Sequence, residues 1–114
     1  MDKAQRIEMK SVASDEVQRS LTEKKELEKF VAKLRVEEWE SDSRLPEDAK
    51  PSHEYIFYQE ETLQVGEKKG KGAPLYEVAR LITYRELPYV KLKVSLIELD
   101  CKVPEDVARY LNQL

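Results

Sequence analysis

The stretch YVKLKVSLIEL, residues 89–99, carries the clearest structural signal in this chain of 114 residues. Val90, Leu92, Val94 and Leu96 alternate with Lys91, Lys93 and Ser95. Successive side chains of a strand point to opposite faces, so the pattern predicts one strand with an apolar face on a core and a cationic face in water. Such a strand needs antiparallel neighbours and a cover for its apolar side. Two amphipathic helices can supply that cover. Leu27, Phe30, Val31 and Leu34 recur at i, i+3, i+4 and i+7, with Lys24, Glu28, Lys29 and Lys33 mostly outside the stripe, which predicts a helix over 23–34. Ser20 with Glu23 matches a capping box, and Thr22 is a rival N-cap. The chain ends in a second helix over 104–114, with Pro104 at its first position, Glu105 and Asp106 facing the positive helix terminus, and Val107, Tyr110, Leu111 and Leu114 as its stripe.

Working outward, Ile7 and Met9 alternate with Glu8 and Lys10, which predicts a short strand over 6–12, closed by a turn at Ser14 and Asp15. EYIFYQE, residues 54–60, is dense in aromatic and β-branched residues and reads as a strand packed on both faces. TLQV, residues 62–65, reads as a strand after a tight turn at Glu60 and Glu61. Residues 74–87 admit two readings. As a strand they put Tyr76, Val78, Ile82 and Tyr84 on one face, interrupted by Arg80; as a helix they space Leu75, Val78, Ala79 and Ile82. The extended reading is preferred, because Tyr76, Val78, Ile82, Thr83 and Tyr84 all favour it. Residues 41–53 are polar, contain Pro46 and Pro51, and read as a loop. The expected fold is therefore a single α+β domain over 1–114: a mostly antiparallel sheet of four or five strands packed against two helices.

Charge and composition exclude several functions. The net charge of −3 divides into 11 basic and 16 acidic side chains over residues 1–61, and 9 basic and 7 acidic over 62–114. A whole-domain basic footprint for nucleic acid is absent. No apolar run approaches the roughly 20 residues that cross a bilayer, and MDKAQRIEMK lacks the apolar core of a secretory signal. The chain is expected to be cytoplasmic if Met1 is the native start, and extracytoplasmic and membrane-anchored if a signal has been removed ahead of it. Cys101 is the only cysteine, so an internal disulfide and a cysteine-based zinc site are both excluded.

The chemistry-bearing residues form no constellation. VGEKKGKGAP, residues 65–74, holds all three glycines, Gly66, Gly70 and Gly72. A P-loop needs four residues before its Gly-Lys and then a hydroxyl. Here three intervene, and Gly72 stands where the hydroxyl is required. Lys68, Lys69 and Lys71 remain weak candidates for anion contact, against the plainer reading of a hairpin tip kept soluble by lysine. His53 is the only histidine, and nothing beside Cys101 activates its thiol for a dyad. Glu37, Glu38, Glu40 and Asp42 lack the glycine and spacing of a calcium loop. No catalytic, cofactor-binding or metal-binding residue is assigned, and no cofactor is expected. The aromatics are more informative. Tyr55 and Tyr58 sit among Glu54, Glu60 and Glu61, whereas sheets that stack RNA bases carry basic neighbours. Trp39, Tyr55, Tyr58, Tyr84 and Tyr89 are the candidate partner-binding surface, since such side chains bury area at little entropic cost.

One resemblance follows from these stretches. LTEKKELEKFVAKL, the tryptophan and proline loop after it, PSHEYIFYQ, and the closing VPEDVARYLNQL together resemble small extracytoplasmic lipoprotein domains of Gram-positive bacteria, over about half the chain. The resemblance implies an α+β domain displayed outside the membrane, of unassigned function, and a lipid-bearing cysteine near the amino end that this sequence lacks. No functional residue carries over from it. The expected role is a non-catalytic protein-binding or assembly module, through a protein partner or self-association. The alternative is a small-ligand binder with a tyrosine-lined pocket between sheet and helix.

Overall fold

Alternating apolar residues need a partner surface, and here each strand finds one in its neighbour. The computed structural model describes residues 4–14, 16–41, 43–60 and 75–113. Its strands are β1 (Arg6–Ser11), β2 (Val17–Leu21), β3 (Pro51–Glu60), β4 (Leu75–Tyr84), β5 (Tyr89–Val94) and β6 (Ile97–Lys102). They form one antiparallel sheet in the order β2-β1-β3-β4-β5-β6. Helices α1 (Lys24–Leu34) and α2 (Glu105–Asn112) complete an α+β fold, with six strands where four or five were expected.

Both additional strands correct the sequence reading. The 89–99 stretch is a hairpin, in which Val94 pairs with Ile97 and Ser95 takes a positive φ of 57°. Two-residue hairpin turns require positive φ, usually supplied by glycine or asparagine, so Ser95 gave no warning of it. β2 forms by pairing Ile7 with Leu21 and Glu8 with Ser20, which draws Ser20 out of the expected capping box. Helix α1 begins after Glu23, whose side chain makes no capping hydrogen bond. Pro104 is the N-cap of α2 rather than its first helical residue. The 74–87 segment is extended, as preferred, over β4. The expected strand at 62–65 and Lys68, Lys69 and Lys71 of the glycine loop lie outside the described residues.

The register sorts the side chains. Ile7 and Met9 stand beside Phe57 and Tyr55, which stand beside Ala79 and Leu81. This row faces the helices and is buried together with Leu27, Phe30, Leu34, Val107 and Leu111. Phe30 is its centre, with ring centroids 5.5 Å from Tyr55, 6.3 Å from Phe57 and 6.1 Å from Tyr110. A side chain of this size, fully buried, contributes roughly 1.5–3 kcal/mol. The Tyr55 hydroxyl donates to the Leu111 carbonyl, so the one polar atom of this buried ring is satisfied at the end of α2.

Candidate functional site

The sheet face away from the helices carries charge. A bulge in the pairing skips Val78, so that Phe57 faces Ala79 while Tyr58 faces Glu77. On a regular strand, residues three apart point to opposite faces; the extra residue brings Glu77 and Arg80 to one face. There Arg80 lies 2.7 Å from Glu77 and 3.6 Å from Glu54. Tyr58 donates to Glu8 at 3.1 Å, and Glu8 accepts from Arg6 at 2.9 Å. Burial and then the Glu8 hydrogen bond push the Tyr58 phenol up, while the Glu77 hydrogen bond raises Arg80. Arg80, expected to interrupt this face, is its hub. The carboxylates Glu8, Glu54 and Glu77 of this face each lie beside an arginine.

At one end of the sheet a polar cluster joins β3, β4 and α2. Asn112 donates from Nδ2 to the Tyr84 carbonyl at 3.2 Å and the Ala108 carbonyl at 2.9 Å. Its Oδ1 therefore accepts, and the donor is the Ser52 hydroxyl. Ser52 Oγ lies 3.1 Å from Thr83 Oγ1 and 3.2 Å from His53 Nδ1. In this arrangement the Ser52 proton goes to Asn112 and not to His53. A bulge at Ser52 lets these neighbouring side chains meet. The cluster fastens α2 to the sheet. Sequence reasoning missed it because Asn112 and Ser52 are 60 residues apart, with no local signal. Two grooves flank it. One, of about 360 Å³, is lined by Leu87, Pro88, Ala108, Arg109 and Asn112 among others; one of about 300 Å³ includes Ser52, His53 and Arg85. Neither contains a tyrosine.

His53 and Cys101 do not meet. They lie in one row, His53–Thr83–Val90–Cys101, three strand spacings or about 14 Å apart. Burial, with the Asp100 charge, pushes the Cys101 thiol up, which opposes the thiolate a nucleophile requires. Among the described residues no group of three or more histidine, cysteine, aspartate or glutamate side chains could hold a metal ion. No helix among them is long and apolar enough to cross a membrane.

The five aromatic candidates separate. Tyr55 is fully buried and Tyr84 is 5% exposed, so neither is open to a partner. Burial, then the charges of Asp100 and Glu98, push the Tyr84 phenol up. Trp39 is half-buried against the core, and its indole donates to the Leu34 carbonyl at 2.8 Å, closing the end of α1. Tyr58 and Tyr89 are half-buried, on the face away from the helices.

Of the four residues read as the core face of this stretch, Val90 is buried and Leu92 packs against the core, whereas Val94 and Leu96 lie outside it. Val94 is 41% exposed, Leu96 98%, Ile97 60% and Leu99 40%. Val94 with Ile97, and Leu92 with Leu99, are cross-strand pairs on the helix-side face; Leu92 still packs against the core, while Val94, Ile97 and Leu99 are exposed. The signal was present: the alternation runs Val90, Leu92, Val94 on even numbers and Ile97, Leu99, Cys101 on odd ones, and that change of phase marks a two-residue turn. On the other face, Lys91 lies 3.9 Å from Asp100 and Lys93 3.5 Å from Glu98. Comparison with protein-family models, curated proteins and solved structures returns no match for this chain.

Proposed function

We propose that this protein is a non-catalytic protein-binding or assembly module whose contact surface is the tip of the β5–β6 hairpin. The observation that carries the reading is the contiguous exposure of Val94, Leu96, Ile97 and Leu99. Scattered surface aliphatics are ordinary, but a contiguous patch marks an interaction surface. The two sheet edges support it by contrast. β2 is short, irregularly paired and polar, the usual defences of an edge, and exposes Val17 alone among large apolar side chains. β6 exposes Ile97 and Leu99. The resemblance to lipoprotein domains adds the proposal that the patch meets its partner outside the membrane.

The test is a photo-crosslinking amino acid placed at Leu96 and, as control, at Gln18 of β2, in the cells that make the protein. A discrete adduct from position 96 and none from position 18 is expected. No adduct from 96, or equal adducts from both, removes the reading.

A second reading, a small-ligand binder, draws support from the groove beside α2, whose volume of about 360 Å³ falls in the usual range for ligand sites. Leu87, Pro88 and Ala108 supply apolar lining, and Arg109 and Asn112 supply polar groups. A small-molecule thermal-shift screen tests it: a stabilising compound must lose its effect in Arg109→Ala.

A further inference from the structure

We propose that the β6 edge accepts an extended segment of a partner protein in which basic and apolar residues alternate, adding it to the sheet as a further strand. This rests on the hairpin being the contact surface, and names what it contacts.

The backbone sets the site. Glu40 donates to the Lys102 carbonyl and Lys102 to the Glu40 carbonyl, both at 2.9 Å, so the main-chain groups of Lys102 point away from β5. In an antiparallel ladder that direction alternates. Asp100 and Glu98 therefore also turn their N–H and C=O groups outward, and among the described residues nothing pairs with them. The open edge from Ile97 to Cys101 spans about 17 Å, room for a strand of about five residues.

The side chains set the occupant. Glu98 and Asp100 stand on one face of this edge, Ile97 and Leu99 on the other. An added strand matches both faces when its residues opposite Glu98 and Asp100 are basic and those between are apolar. β5 already makes this match on the inner side of β6, with Lys93 and Lys91 beside Glu98 and Asp100, and Val94 and Leu92 beside Ile97 and Leu99. The Glu98 side chain is still 55% exposed, which leaves it open to a second cation. Where the chain completes the edge itself, Glu40 is set against Lys102, again opposite charges. A second copy is the wrong occupant. Every two-fold pairing through the outward groups of Glu98 and Asp100 sets acid against acid, and like charges directly opposite are destabilising.

The probe is a capped peptide copying β5, Tyr-Val-Lys-Leu-Lys-Val, added to the ¹⁵N-labelled full chain while amide exchange is followed by NMR. Exchange at the Glu98 and Asp100 amides should slow by at least about tenfold at saturation. The charge-swapped peptide Tyr-Val-Glu-Leu-Glu-Val should not slow it. Glu98→Gln with Asp100→Asn should weaken the lysine peptide by about fivefold, and added salt should reduce the difference. Equal effects from both peptides, protection at other amides only, or protection of these two amides by self-association at high protein concentration each overturn the proposal. If Leu96 yields a crosslinked partner while the lysine peptide protects neither amide, strand addition falls and the contact-surface reading stands. If the peptide protects both amides and Leu96 yields no adduct, the edge accepts strands and the cellular role falls.

Discussion

Val90 and Val94 lie four residues apart on the same face of the same strand, and their surroundings are opposite. Val90 is fully buried beside Thr83 and Cys101, under the helices; Val94 is 41% exposed beside Ile97, where the helices no longer reach. Alternation determines which face a side chain joins and says nothing about whether that face is covered. Cover comes from other elements, and here it stops partway along the hairpin. The base therefore serves the fold, while the tip retains apolar surface that contributes little to it. On that division the base should be sensitive to truncation and the tip indifferent.

The hardest break is at the centre of the covered half. Phe30→Ala removes the ring that meets Tyr55, Phe57 and Tyr110 and should cost about 3–5 kcal/mol in urea unfolding. High pH should attack the same half. Burial pushes the Tyr55, Tyr84 and Tyr110 phenols above their ordinary value of 10.0, with the charges of Tyr110 (for Tyr55) and of Asp100 and Glu98 (for Tyr84) adding to it. A phenol raised in the folded state gives its full stabilisation below its unfolded value. That contribution is lost as pH rises from about 10 through the folded values. Stability measured from pH 8 to 12 should hold and then fall above about 10, and Tyr55→Phe should reduce the fall.

A smaller effect belongs to the junction that closes one end of the β6 edge. Trp39→Phe keeps much of the packing but removes the indole donor to the Leu34 carbonyl, and should cost about 1 kcal/mol by thermal unfolding. The smallest belongs to the tip. Ser95 holds a positive φ of 57°, which glycine adopts freely, so Ser95→Gly should raise stability by about 0.5 kcal/mol once the added freedom of the unfolded chain is offset.

Much of the covered half was legible in the sequence. The stripe Leu27, Phe30, Leu34 and the pair Val107, Leu111 are buried as their spacing requires, and β1, β3 and β4 follow their apolar alternation or β preference. What was not legible depends on pairing. VQRSL, residues 17–21, has no apolar alternation of its own and becomes β2 only against Ile7 to Lys10. Ser95 and Leu96 are unremarkable turn residues, so the hairpin was hidden except for its change of phase. Tyrosines of the two sheet faces look alike in the sequence. Tyr55 and Tyr58, three residues apart, are separated by the sheet itself, with only Tyr55 turned towards the helices.

The division between base and tip is tested most directly by Val90→Ala and Val94→Ala measured side by side in urea. Both substitutions remove the same two methyl groups from the same face of one strand, so the difference between them chiefly reports how far each is covered. Val90→Ala is expected to cost about 2 kcal/mol more than Val94→Ala. Equal losses would contradict it, because they would mean that the tip is as fully covered in solution as the base and has no apolar surface left for a partner.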